Sequence, residues 1–182
     1  GSFGIAYDIG NKLVLKITKD RGEATTFRRL AGKNTKYINY IYCVFRLKSP
    51  KNFYFIIQDK LNNFGSTDED IITNVLSDGI MYPTDYNDLN ALYRQLIGSV
   101  SIGDEDILGH MNEETKSIIM KNVEVTKNLI KFLLGVQEEL KKLGIDFDDY
   151  HSGNIMKDRK GNYKLIDLSL SFSGTNRTDV IK

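Results

Sequence analysis

The sequence predicts an α+β protein of two small lobes, a β-rich one over residues 1–61 and a helical one over residues 62–182, together one domain over 1–182. Three observations carry this. The first 61 residues alternate short apolar runs with Gly and Asn turns and hold one helical pattern. Residues 66–143 carry helix starts and stops around apolar positions at helical spacing. A short hairpin pattern then closes the second lobe.

Taken in order, Gly1-Ser2-Phe3-Gly4-Ile5-Ala6-Tyr7 leads through a turn to Asn11-Lys12-Leu13-Val14-Leu15-Lys16-Ile17, the second run being an apolar strand. Glu23, Phe27 and Leu30 share one face of a helix over Glu23–Leu30. Tyr42-Cys43-Val44-Phe45 is an apolar stretch in which the single Cys43 is expected to pack as a buried small hydrophobe. Phe53-Tyr54-Phe55-Ile56-Ile57 predicts a buried strand. Tyr40, Tyr42, Tyr54 and Phe55 are expected in core or strand-face packing, because no basic residues interleave them as in a base-stacking platform.

In the second lobe, Ser66 with Glu69 makes a capping-box pattern ahead of Ile71, Ile72 and Val75. Pro83-Thr84 introduces a helix through Leu96. Asn112 caps a long helix carrying Ile118, Ile119, Val123, Leu129, Ile130, Leu133, Leu134, Leu140 and Leu143, and Gly144 ends it after Lys141 and Lys142. Asp104-Glu105-Asp106 is expected as a solvated loop, with a partner contact the lesser alternative, and His110, far from the motifs, is assigned no role. Finally Ile155-Met156 and Tyr163-Lys164-Leu165-Ile166 flank a polar turn and predict a hairpin.

That hairpin brings its two ends together, and the ends are polar. Asp149 stands five residues before Asn154, and Asp167 thirteen residues after it. Kinases use this layout: one Asp orients the substrate hydroxyl, while an Asn and a second Asp hold magnesium on the nucleotide phosphates. Magnesium takes hard oxygen ligands and is shared between one or two protein groups, waters and phosphates. A second Asp–Asn pair, Asp85 and Asn90, precedes a helical pattern with no returning strand, and is a coincidence of spacing.

The amino end supplies complementary chemistry. A Gly-rich turn between strands lets backbone N–H groups approach phosphate. Ala6 is the small strand residue expected against an adenine ring. Lys16 on its apolar strand is the ammonium expected on the α and β phosphates. Glu23 either pairs with Lys16 or is a solvated first-turn Glu favoured by the helix dipole; the seven-residue gap is short for the pairing, and both readings stand. Gln58-Asp59-Lys60-Leu61 follow the aromatic strand as a hinge whose backbone would meet the adenine edge, its register open by one residue.

These motifs resemble the protein-kinase-like fold in a very small form, with a truncated helical C-lobe. The stretch Asp149-Tyr150-His151-Ser152-Gly153-Asn154-Ile155-Met156 resembles the loop of the early serine/threonine kinases of tailed coliphages. The likeness covers most of the chain, most strongly residues 145–173 and least 62–121. It implies Asp149 as the catalytic Asp, Lys16 and His151 beside the phosphates, and Asn154 and Asp167 on magnesium. Gly1, Ser2, Phe3 and Gly4 would form the phosphate loop, with Ala6, Glu23, Gln58, Asp59 and Lys60 completing the ATP site. The chain departs from the pattern at Phe147-Asp148, where most protein kinases have His-Arg, and at Leu168-Ser169, which replaces Phe-Gly. His151 stands where those kinases have Lys; aminoglycoside phosphotransferases also have His there. With residues 170–182 alone after Ser169, no room is expected for a full activation segment.

The implied activity is ATP-dependent serine/threonine phosphorylation of host proteins in the cytoplasm, with ATP and Mg2+ as cofactors. The alternatives are a small-molecule phosphotransferase and a pseudokinase that binds a partner. Composition excludes other classes. With 25 basic and 24 acidic residues and net charge +1, nothing points to a nucleic-acid or membrane surface. The run from Leu129 to Val136 is broken by Lys131, so no membrane span is expected. One cysteine forms no internal disulfide, which suits a reducing compartment.

Overall fold

The computed structural model describes residues 4–47, 53–77, 86–100, 106–147 and 149–168. Strands β1 (Gly4–Gly10) and β2 (Leu13–Thr18) form a hairpin closed by Asn11 and Lys12. Both turn residues have left-handed φ, 49° and 68°, the geometry of a two-residue turn whose twist matches a hairpin. Helix α1 (Arg21–Leu30) follows at once. It begins two residues before the sequence pattern suggests, because Asp20 caps it, accepting from the N–H groups of Gly22 (2.6 Å) and Glu23 (3.1 Å).

Strands β3 (Ile41–Arg46) and β4 (Tyr54–Asp59) complete an antiparallel sheet of order β1-β2-β4-β3. The central pairing puts Lys16 opposite Ile56 and Val14 opposite Gln58. β3 is therefore an edge strand, and its outer face is bare. Cys43 is exposed there, contrary to the burial expected of it, and so is Tyr42. Phe45 stacks on Phe55 at 5.3 Å, and Tyr54 is buried.

The helical part contains α2 (Ser66–Ser77), α3 (Tyr86–Leu96), α4 (Ile107–His110), α5 (Glu113–Lys121) and α6 (Val123–Leu143). Ser66 is the first residue of α2 rather than its cap, since the Glu69 N–H already reaches the Gly65 carbonyl (3.2 Å). Pro83-Thr84, Asp85, Asp104-Glu105 and Asp148 lie outside the described residues. Asp106 caps α4 through Gly109 N–H. The single helix expected after Asn112 is two. Asn112 does cap α5, accepting from Thr115 N–H at 2.8 Å, but the chain breaks at Asn122 (φ −128°, ψ 40°), whose amide bonds back to the Ile118 carbonyl. Asn competes for backbone hydrogen bonds in this way, which is why it interrupts helices. Helix α6 runs through the core, with Leu129, Ile130, Leu133 and Val136 fully buried, and ends on Gly144 at φ 62°. Among the described residues, no helix is long and apolar enough to cross a membrane.

The hairpin of β5 (Ile155–Lys157) and β6 (Tyr163–Leu165) joins the two parts. Leu165 donates its N–H to the Tyr37 carbonyl (2.8 Å) and accepts from Asn39 N–H (2.9 Å), while Asn62 and Lys157 exchange two backbone bonds. Asp68 of α2 accepts from Lys157 Nζ (2.6 Å) and from the Tyr163 hydroxyl, whose pKa burial and that carboxylate raise.

Tyr37 reaches this junction by packing on α6 where a side chain is missing. A Cβ at Gly135 would lie 2.2 Å from the Tyr37 ring. Gly135→Ala should therefore lower stability by about 1–3 kcal/mol, although helix propensity alone favours Ala by about 1 kcal/mol. In a Tyr37→Ala background the same change should stabilise. Urea denaturation of wild type and the three variants decides it; the same sign of effect in both backgrounds refutes the packing account.

Candidate active site

Strand β2 aims Lys16 inward, and its side chain is only 14% exposed. The ammonium pairs with the Glu23 carboxylate of α1 and with Asp167 Oδ2 at 2.9 Å. Glu23 is buried, so the alternative of a solvated first-turn residue is not what is found. Seven residues suffice because the chain turns directly after Thr18, whose hydroxyl accepts the Asp20 N–H (3.0 Å) and starts α1. Burial disfavours the Lys16 ammonium, but Glu23 and Asp167 outweigh it and raise its pKa. Burial likewise pushes the Glu23 carboxyl up, against the pull of Lys16. Glu23→Gln keeps the shape and removes one carboxylate from the pair. The unfolding free energy should fall by about 1–3 kcal/mol; an unshifted denaturation midpoint would show that the pair contributes nothing.

The loop after α6 presents the second group of polar residues. Asp149 is half exposed. Asn154 is buried in a 3₁₀ turn (Ser152–Asn154), and its amide nitrogen donates to the Asp149 carbonyl (2.9 Å) and to Asp149 Oδ2 (3.1 Å). That leaves Asn154 Oδ1 as the outward oxygen. His151 Nδ1 accepts the Gly153 N–H at 3.1 Å, which puts the ring proton on Nε2, 3.6 Å from Asp149 Oδ2. Across the hairpin, Ile166 N–H bonds the Asn154 carbonyl (2.9 Å) and so sets Asp167 next to Asn154 in sequence of contact.

Asp167 Oδ1 is buried and has no hydrogen-bond partner. Such an orphan costs about 1–3 kcal/mol and is rare in structural positions. With Asn154 Oδ1 it offers two hard oxygens, a donor set that fits magnesium shared with a phosphorylated ligand. Among the described residues no three His, Cys, Asp or Glu side chains gather as a self-sufficient metal site.

These groups line one cleft of about 500 Å3. Of the residues expected there, Gly4, Ala6, Lys16, Glu23, Gln58 and Asp59 come from the sheet and α1. Asp149, His151, Asn154 and Asp167 come from the loop and hairpin. Gly1, Ser2 and Phe3 lie outside the described residues. Gly4 approaches closely: a Cβ would meet Ile17 O at 3.0 Å and Lys16 Cε at 3.1 Å.

Lys60 does not join the cleft. Its N–H bonds the Lys12 carbonyl (2.9 Å) and its ammonium pairs with Asp8 on the outer side. The Asp59 N–H is also taken, by Tyr40 O (3.1 Å), and the Asp59 carbonyl accepts from buried Asn39 Nδ2 (2.9 Å). Of the last two hinge residues, Leu61 lines the cleft in place of Lys60. Sequence reasoning also missed the apolar lining. Val14 lies two residues before Lys16 and so shares its strand face, while Met156 and Ile166 sit two residues after Asn154 and one before Asp167. The signal for Val14 was the strand period itself. Gln58 Oε1, at the same end, is buried and unpartnered.

No protein-family model matches the chain, and no curated protein matches it.

Proposed function

We propose that the protein is an ATP-dependent serine/threonine protein kinase with a minimal protein-kinase-like fold, akin to the early kinases of tailed coliphages and acting on host proteins in the cytoplasm. The observation that carries this reading is Lys16 held between Glu23 and Asp167, with Asp167 Oδ1 left buried and unpartnered beside Asn154. A strand Lys paired to a helix Glu, facing a metal-binding Asp, is what a kinase needs to grip nucleotide phosphates.

The roles follow from the atoms. Ala6, Val14, Met156 and Ile166 provide apolar surface for the base. The Leu61 backbone and Gln58 Oε1 offer hydrogen bonds to its edge. Lys16 holds the phosphates, kept cationic by its two carboxylates. Asn154 and Asp167 would hold Mg2+, which supplies charge neutralisation on the phosphates. Asp149 orients the attacking Ser or Thr hydroxyl and takes its proton; His151 Nε2–H stands beside it as a donor.

One observation favours a second reading. His151 at that position, as in small-molecule phosphotransferases, suits a kinase of hydroxylated metabolites. Incubation with γ-labelled ATP, magnesium and cell lysate separates the two. Label on protein Ser or Thr supports the protein kinase. Label on an amino sugar or similar alcohol alone, with none on protein, replaces it by the second reading. No transfer at all, with nucleotide still bound, leaves a pseudokinase.

A further inference from the structure

A second cleft, about 550 Å3, adjoins the first and shares Asp59 and Leu61 with it. Its walls are the segment after α1, carrying Lys36, and the β5–β6 hairpin, with Arg159 and Lys160 on its turn and Lys164 on β6; Lys60 also lines it. Five cationic residues line it on a chain whose net charge is +1, although the Lys60 ammonium is paired with Asp8 and Lys164 Nζ donates to the Lys36 carbonyl (2.7 Å). Only Asp59 and Asp158 oppose them among its lining residues, and both are occupied. Asp59 Oδ1 accepts from the Tyr42 hydroxyl (2.9 Å). Asp158 accepts from the N–H groups of Lys160 (2.8 Å) and Asn162 (2.9 Å). Burial pushes its carboxyl up, but the bonds from Asn162 and Lys160 outweigh this and hold it below its ordinary value.

The turn is thus a rigid mount for Arg159 and Lys160, both exposed and neither with a carboxylate partner among the described residues. Other lysines do pair with carboxylates, as Lys127 does with Glu124 and Lys157 with Asp68. What sets Arg159 and Lys160 apart is their gathering with Lys36 on the walls of one cleft, which favours an anionic partner.

We infer that this cleft docks an acidic peptide segment of the protein substrate, separate from the hydroxyl that is phosphorylated. The inference rests on the protein-kinase reading for the word substrate only. A peptide fits better than a nucleic acid, because the described lining residues include Asn34, Thr35 and Asn162, which suit peptide groups, and no aromatic ring on which a base could stack.

The test is fluorescence anisotropy of a fluorescein-labelled oligo-glutamate peptide with the whole chain at low salt. Wild type should bind, and affinity should fall as salt rises. Arg159→Glu with Lys160→Glu should weaken binding roughly tenfold, and Lys36→Glu on the opposite wall should weaken it too. Lys121→Glu with Lys142→Glu, the same charge change on exposed helix positions, should leave it nearly unchanged. Equal weakening by the two double variants reduces the effect to net charge and overturns the proposal, as does no binding to wild type. A single-stranded oligonucleotide that binds more tightly than the peptide, and loses affinity with Arg159 and Lys160, makes this a nucleic-acid site instead. Nucleotide binding by the cleft variants is measured alongside and should not change. Peptide binding that depends on Arg159, in a protein that transfers no phosphoryl group, upholds the docking cleft and removes only the kinase.

Discussion

Asp149→Asn should lower phosphoryl transfer by about 10²–10⁴-fold, the range typical of a group that orients and deprotonates a hydroxyl. Fold and nucleotide binding should survive. The Asn154 amide reaches both the Asp149 backbone carbonyl and Oδ2, and an Asn at 149 keeps an oxygen for the second bond. The loop conformation is therefore retained, and only basicity is lost. Asp149 also carries little of the packing, being half exposed. Single-turnover transfer and binding of a fluorescent ATP analogue separate the two effects. A variant with wild-type turnover sinks the assignment; a variant that no longer binds nucleotide shows Asp149 to be structural.

How far the sequence reaches differs between the two halves of the cleft. Asn154 and Asp167 were legible because a hairpin brings its ends together whatever its tertiary setting, and the Ile166–Asn154 bond is that closure. Glu23 was not decided by its helical face, since the missing piece was Asp20, whose capping places the first turn of α1 one short step from β2. Lys60 was misplaced for a related reason. A backbone N–H is available to a ligand only if no neighbour claims it, and the Lys12 carbonyl that claims this one belongs to a turn 48 residues away in sequence. Cys43 shows the limit of apolar runs: composition marks a strand but not whether it lies at the sheet edge. The break at Asn122 was carried by one residue inside a long helical period, where a side-chain bond to Ile118 competes with the ladder.

Asp167→Ala should abolish magnesium-dependent nucleotide binding and, at the same time, leave the bare protein as stable as wild type or more so. Both expectations come from the same atoms. Asp167 Oδ1 is buried without a partner, an arrangement that costs folding free energy of about 1–3 kcal/mol. Asp167 Oδ2 binds Lys16, but Lys16 keeps Glu23, the more deeply buried of its two partners (3% exposed against 23%), so removing Asp167 costs less than removing the Glu23 charge does. A residue that fits this description is retained for what it binds rather than for what it holds up. Wild type with ATP and magnesium at about 100 times Kd should gain about 2.7 kcal/mol of apparent stability. The variant should gain none of the part that depends on magnesium. Thermal unfolding of both proteins, alone, with ATP, and with ATP and magnesium, measures each quantity. A magnesium-dependent gain that persists in the variant removes Asp167 from the metal site. A large loss of stability in the bare variant would instead make the Lys16–Asp167 pair a structural bridge between the sheet and the hairpin.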